Sequence, residues 1–245
     1  MKKIVFVVIS CLFFSMAFSQ DSIPPASTNT KKINLTNRPG DHIMIQLSSD
    51  HWMSMPDSIG SHQKGLSRGF NIYFMYNKPF KNSPNYSLGI GLGISTSNMI
   101  FKKMNVDLNA TSATLPFTHL DSTNHFKKYK LATSYLQVPI ELRYFAKPDH
   151  PNKSLKAAVG LKFGTLVNAH TKGKTLQDKN GQNLNNYTEK ENSKRFIDGT
   201  QIMATARIGY GIFSLFGSYQ LNTILKSGFG PNMRLLQVGI TISGL

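Results

Sequence analysis

From about residue 41 onward the chain alternates apolar residues with small or polar ones in runs of roughly ten, and it does so eight times. The last run shows the pattern most plainly: Leu236, Val238, Ile240 and Ile242 interleave with Gln237, Gly239, Thr241 and Ser243. A period of two sends successive side chains to opposite faces of a strand. The other runs predict strands at about 41–49, 69–78, 86–101, 134–145, 154–169, 199–210 and 213–225. The run from 213 is the least regular, because Phe216 interrupts its polar face. No convincing helical pattern separates the runs, so they predict an all-β fold, an eight-stranded antiparallel up-and-down barrel.

The predicted connections alternate too. They are long after the first, third and fifth strands (50–68, 102–133, 170–198) and short after the second, fourth and sixth (79–85, 146–153, 211–212). The connection after the seventh, 226–231, is intermediate. Short turns on one rim and long loops on the other are the topology of transmembrane barrels, with both termini on the short-turn, periplasmic side.

Alternation alone does not distinguish such a barrel from a soluble lipocalin-like carrier, which turns its apolar face inward. Charge placement does. The polar face here is mostly Gly, Ser, Thr, Asn and Gln, and its few charges include Glu141, Arg143, Lys156, Lys162 and Arg207. Glycines 89, 91 and 93 suit a crowded lumen and would only weaken a solvent-facing strand. Trp52, Tyr86, Phe101, Tyr135, Tyr144, Phe145, Tyr210 and Phe213 fall near run ends, where interfacial girdles are expected. Eight strands enclose a lumen that side chains fill, so no open pore is expected. Buried charge must be paired, and Glu141 is expected to meet at least one of Arg143, Lys156, Lys162 or Arg207 across the lumen. A shifted register would instead carry Arg143 and Arg207 to the rim.

The N-terminus has the anatomy of an export signal over residues 1–19. Lys2 and Lys3 precede an apolar stretch from Ile4 to Phe14, and Ala17-Phe18-Ser19 precedes Gln20 as a cleavage site. Cys11 sits in a loose lipobox resemblance, but the apolar run continues past it. Residues 20–40, rich in Pro, Ser, Thr, Asn and Lys, are expected to form a flexible periplasmic leader, leaving 41–245 as the barrel. Loss of Lys2 and Lys3 lowers the formal charge from +16 to +14. An exported chain so basic points to anionic glycolipid, such as lipopolysaccharide phosphates, rather than to nucleic acid.

The segment Tyr135-Leu136-Gln137-Val138-Pro139-Ile140-Glu141-Leu142-Arg143-Tyr144 resembles a strand of the small outer-membrane β-barrel family that includes PorT-like proteins and the OmpA- and OmpX-like eight-stranded barrels. Val159 to Gly164 and Gln237 to Ile242 resemble that family as well, so the likeness covers about residues 41–245. The resemblance implies an outer-membrane barrel and, for PorT-like members, assistance to a protein secretion system. The final Leu245 departs from the aromatic ending of many such barrels. Pro139 lacks an N–H in mid-strand, and a bulge there is the expected remedy.

Chemistry-bearing residues concentrate in the predicted loops. His51, His62, His119, His125 and His170 lie there with Asp50, Asp57, Asp121 and Asp178. A hydrolase or acyltransferase on the rim would draw on His119 with Asp121, or on Asp50 with His51. Ligand-type spacing for a metal is lacking, and Gly209-Tyr210-Gly211 lacks the following helix a phosphate loop needs. Lys102, Lys103, Lys127, Lys128 and Lys130 form a basic cluster that suits glycolipid phosphates. The expectation is a barrel of structural or interaction type, with no catalytic residues, cofactor or metal. The alternatives are the rim enzyme and the soluble carrier.

Overall fold

The computed structural model describes residues 42–63, 66–150 and 153–244. The expected signal over 1–19 with Cys11, the leader over 20–40 and the terminal Leu245 lie outside the described residues. Among the described residues there are eleven strands and one short helix: β1 (Ile43–Met53), α1 (Asp57–Gly60), β2 (Ser67–Phe80), β3 (Ser83–Phe101), β4 (Met104–Val106), β5 (Phe117–His119), β6 (His125–Phe145), β7 (Leu155–Gln177), β8 (Asn183–Asn192), β9 (Thr200–Tyr210), β10 (Phe213–Gln220) and β11 (Arg234–Ser243).

Eight of them close on themselves. The order β6-β3-β2-β1-β11-β10-β9-β7 ends where it begins, because β6 also pairs with β7. All pairs are antiparallel, and β1 meets β11 with Leu47 opposite Ile240 and Gln46 opposite Thr241. Closure leaves these strands without a free edge, which is the condition for a sheet to cross lipid. β8 extends the upper part of β7, and β4 pairs with β5 in the loop between β3 and β6.

The faces sort as a membrane barrel requires. Outward-pointing Leu92, Val159 and Leu215 are 52%, 57% and 66% exposed, while inward-pointing Gln46, Gln137 and Thr241 are fully buried. A lipocalin-type carrier would show the reverse, so that alternative fails on the direction of the side chains. Glycines 89, 91 and 93 face inward. A Cβ at 89 would lie 2.6 Å from Arg143 Nε, and at 91 and 93 it would collide with Met75 and with the β2 backbone.

Along several strands the alternation keeps its parity but inverts its chemistry. Inward residues of β6 read Arg143, Glu141 and Gln137, then Tyr135, Leu131 and Tyr129; outward residues read Leu142, Ile140 and Leu136, then Ser134, Lys130 and Lys128. β3 changes from Ser95 and Ser97 to Met99 and Phe101 inside, and from Ile94 to Thr96 and Asn98 outside. β11 changes from Gln237 to Leu235 inside and from Leu236 to Arg234 outside. The inversion marks the level at which the outer wall leaves an apolar solvent and enters water.

Several expectations change accordingly. β6 begins at His125, not near 134, and β7 runs to Gln177. The expected loop at 170–198 is largely the β7–β8 hairpin, and β10 ends at Gln220, so the connection to β11 spans 221–233. Of the expected girdle, Tyr86, Tyr144, Tyr210 and Phe213 point outward at the short-turn end, joined by Tyr76. Trp52, Phe101, Tyr135 and Phe145 have inward parity and are buried. Pro139 causes no register shift. The β3–β6 ladder holds one register from Ile90 opposite Ile140 to Gly93 opposite Gln137, and the irregularity falls at Ser134/Tyr135, where Val167 of β7 is the extra residue.

Candidate functional site

Three places hold concentrated chemistry: the lumen, the loops that cover it, and the outer face of the projecting strands. In the lumen, Glu141 Oε2 accepts hydrogen bonds from Arg143 Nε at 2.9 Å and from Arg207 Nη2 at 3.1 Å, all three side chains being buried. Neither arginine reaches the rim. Lys156 Nζ donates to Ser243 Oγ at 2.8 Å. Lys162 Nζ donates to Gln46 Oε1 at 2.9 Å and sits 5.2 and 5.4 Å from the ring centres of Tyr73 and Phe216. Phe216, which breaks the polar alternation of its strand, is thus one wall of a cation site.

Next along the axis is a chain of amides. Tyr73 donates to Gln137 at 2.6 Å, Gln137 to Gln201 at 2.5 Å, and Gln201 to Gln220 at 3.2 Å. Asp50, placed in a loop by the sequence pattern, is lumenal and accepts from Ser48 at 2.5 Å and Gln237 at 3.2 Å. Its parity with Gln46 and Ser48 is the signal that assigns it there. A void of about 10 Å³ between Trp52, Tyr135 and Gln201 has room for no more than one water. Cross-lumen bonds at successive levels make the interior a packed polar core.

Above it the loops form a second core of ordinary polarity. Trp52, Phe101, Met104, Val106, Phe196, Ile197, Leu225 and Met233 are all buried there. Trp52 meets Phe101 edge-on at 5.6 Å, and Phe196 meets Phe229 at 5.7 Å. The Tyr129 hydroxyl donates to the Val106 carbonyl at 2.9 Å and accepts from the Val106 N–H at 3.0 Å. Burial pushes that phenol up to about 12, so it keeps its proton in both bonds. Arg195 donates to the carbonyls of Ala110, Thr111 and Ser112 at 3.0, 3.1 and 3.2 Å, joining two loops.

The expected rim pairs do not form. Asp50 points into the lumen, whereas His51 points out and meets Ser49 at 3.0 Å. Asp121 meets His62 Nε2 at 3.0 Å rather than His119, whose ring lies 4.6 Å from that of His62. Ser61 Oγ is 3.0 Å from His62 Nδ1. The spacing matches a nucleophile relay, but Ser61 and His62 are neighbours on one exposed turn. The His62 hydrogen bond holds the Asp121 carboxyl below the usual aspartate range and clasps the α1 loop to the loop before β6.

The basic cluster divides. Lys128 and Lys130 lie on the outward face of β6, opposite Lys174 and Lys172 of β7, and Lys172 faces Lys190 of β8. Lys102 and Lys103 occupy the turn after β3, where Lys103 lies near Asp121, and Lys127 is exposed on β6. Lys172, Lys174 and Lys190 escape a reading that treats 170–198 as loop, because only strand pairing brings them beside Lys130.

Among solved structures the chain is similar to Ail, the attachment invasion locus protein of Yersinia pestis, in complex with the heparin analogue sucrose octasulfate. The identity is 12%, with 82% of this chain and 94% of that chain covered and a TM-score of 0.34. The structure of Ail alone gives 13% identity, the same coverages and a TM-score of 0.33. No curated protein sequence matches significantly. The family model for the outer membrane protein beta-barrel domain matches residues 27–237. With its closed sheet and outward apolar band, the chain belongs to that outer-membrane β-barrel family.

Proposed function

We propose that the protein is a non-conducting, non-enzymatic outer-membrane barrel whose loop-end surface binds an envelope partner. The observation that carries this reading is the double closure of the axis, first by the Glu141-centred polar core and then by the apolar core of the loops. A barrel filled in this way offers side chains to partners instead of a path to solutes. On this reading the signal over 1–19 is removed, 20–40 is a periplasmic leader, the termini and short turns face the periplasm, and the loops face outward.

Anionic lipid, including lipopolysaccharide, is its proposed immediate surrounding, with Lys102, Lys103, Lys127, Lys128 and Lys130 as contacts. The resemblance to PorT-like barrels supports a narrower version, in which the partner is part of a protein secretion system. Reconstitution of the full chain into planar bilayers tests the shared core of these readings. No stepwise conductance is expected, and sustained open steps would refute a plugged barrel. A photo-crosslinker at Ser112, on the loop surface, is expected to capture an envelope protein. An unchanged set of secreted proteins in cells lacking the chain would remove the secretion version.

A further inference from the structure

The strands that rise above the apolar band carry an arrangement that isolated folding disfavours. Lys130, Lys172 and Lys190 stand directly opposite one another on β6, β7 and β8, and Lys128 opposes Lys174 one step further up. Like charges in direct cross-strand register are destabilising. Carboxylates are near enough to relieve them and are turned away. On β8, Glu189 and Glu191 flank Lys190, so strand alternation puts both on the inner side with Gly173 and Thr171. Among the described residues no carboxylate pairs with any of these lysines; Lys130 Nζ instead donates to the neutral Asn98 amide oxygen at 2.6 Å. Partial burial first, and then the charges of Lys172, Lys174 and Lys190, pull the Lys130 ammonium below its ordinary range.

The position is as informative as the charge. Arg68 is the first outward residue above Phe70, and Lys130 is the third outward position above Leu136. Arg68, Lys128, Lys130, Lys172 and Lys174 line a groove of about 660 Å³, with Leu66 and Ile100 as its apolar edges. The groove therefore opens at the top of the lipid-facing wall. An anion held there has apolar surface directly beneath it, which suits an amphiphile with a multiply charged head. Ammonium groups act as point-charge donors to phosphate and do not demand the planar geometry of a guanidinium site.

We propose that Lys130, Lys172 and Lys190, with Arg68, Lys128 and Lys174, form a binding site for the phosphorylated headgroup of an outer-leaflet glycolipid. The inference rests on the reading that the loop end faces outward. The bound phosphates supply the negative charge that the sheet withholds from this face, and the acyl chains lie along Phe70, Ile94 and Leu136.

The test uses the full chain folded in neutral detergent, with bisphosphorylated lipid A and its dephosphorylated form compared by native mass spectrometry. Lipid A is expected to bind at least about tenfold more tightly than the dephosphorylated form, given the attraction of each basic residue for an anionic surface. The variant Lys130→Gln/Lys172→Gln/Lys190→Gln is expected to lose at least about tenfold in lipid A affinity. Lys147→Gln/Lys179→Gln, at a short turn and a hairpin tip, is expected to bind as the parent does. Without lipid, the triple variant is expected to unfold at the same or a higher temperature, since it sheds repulsion; a lower temperature would mean that the lysines serve the fold. Equal binding of the two lipid forms, or unchanged binding by the triple variant, would overturn the site. Inorganic pyrophosphate binding as tightly as lipid A would overturn the lipid source, and a sulfated polysaccharide displacing lipid A from these lysines at lower concentration would overturn the ligand class. Heat-modifiable gel mobility is read in parallel. Its absence would defeat the membrane-barrel reading itself, whereas its presence with indifference to phosphate would defeat only this site.

Discussion

The molecule has two interiors built on opposite rules. At the level of the apolar band the inside is Glu141, Arg143, Arg207, Lys162 and a chain of glutamines, and the outside is Leu, Ile, Val and Phe. Past the phase inversion the inside is Trp52, Phe101, Phe196 and Leu225, and the outside is serine, asparagine and lysine. β3 and β6 run through both regions with unchanged side-chain parity, so the difference does not lie in the backbone. It lies in the solvent. Hydrophobic burial drives the upper core, because water surrounds it. Around the apolar band there is no such drive to bury oily groups, and hydrogen bonds and paired charge fill the lumen.

The two regions should therefore fail differently. The largest effect is expected from Glu141→Ala, which leaves Arg143 and Arg207 facing each other without their common acceptor. Removing one member of a buried charge network costs about 3–5 kcal/mol. The loss should appear as a lower urea midpoint of the whole barrel, read by heat-modifiable mobility. A variant as stable as the parent would show that the polar core is not what holds the lumen.

Leu225→Ala should break the other interior. Leu225 is 1% exposed among the loop residues, and truncation of a buried leucine costs about 2–5 kcal/mol. The expected outcome is faster protease cleavage in the 102–124 and 221–233 loops while the strands below stay closed. Loss of heat-modifiable mobility together with the loops would mean that the two cores fold as one unit.

The smallest effect concerns the clasp between loops. The His62 hydrogen bond depresses the Asp121 carboxyl, so the bound state favours the ionised form. That contribution is fully present above the unfolded value of about 3.9 and fades as pH falls below it. Cleavage of the α1 loop should accelerate as pH drops through that window in the parent and be flat with pH in Asp121→Asn. Identical profiles for the two proteins would mean that the exposed pair does nothing for loop order.

Much of this architecture was legible along the chain. The period of two, the glycines at 89, 91 and 93 and the sparse charges of the polar face together specify which side looks inward. The same reading fails where the solvent changes. At Ser134 the apolar residues switch parity class, and a pattern that equates one class with one face ends the strand there, nine residues after its true start at His125. Asp50 and the aromatics Trp52, Phe101 and Tyr135 are misplaced for the same reason, since their parity was informative and their chemistry was not.

Sequence by itself determined the eight strands that close the barrel and the direction of their apolar faces in the lipid-facing band, because alternation is a local property of a pleated chain. It also assigned Glu141, Arg143, Lys156, Lys162 and Arg207 to the lumen, but not Asp50. Only the tertiary structure decided that Glu141 is shared by Arg143 and Arg207, that Asp121 bonds to His62 rather than acting with His119, and that lysines 42 and 60 residues apart from Lys130 stand in register with it. Those pairings depend on strand register and on one extra residue at Val167, which long-range hydrogen bonding sets and local pattern does not record.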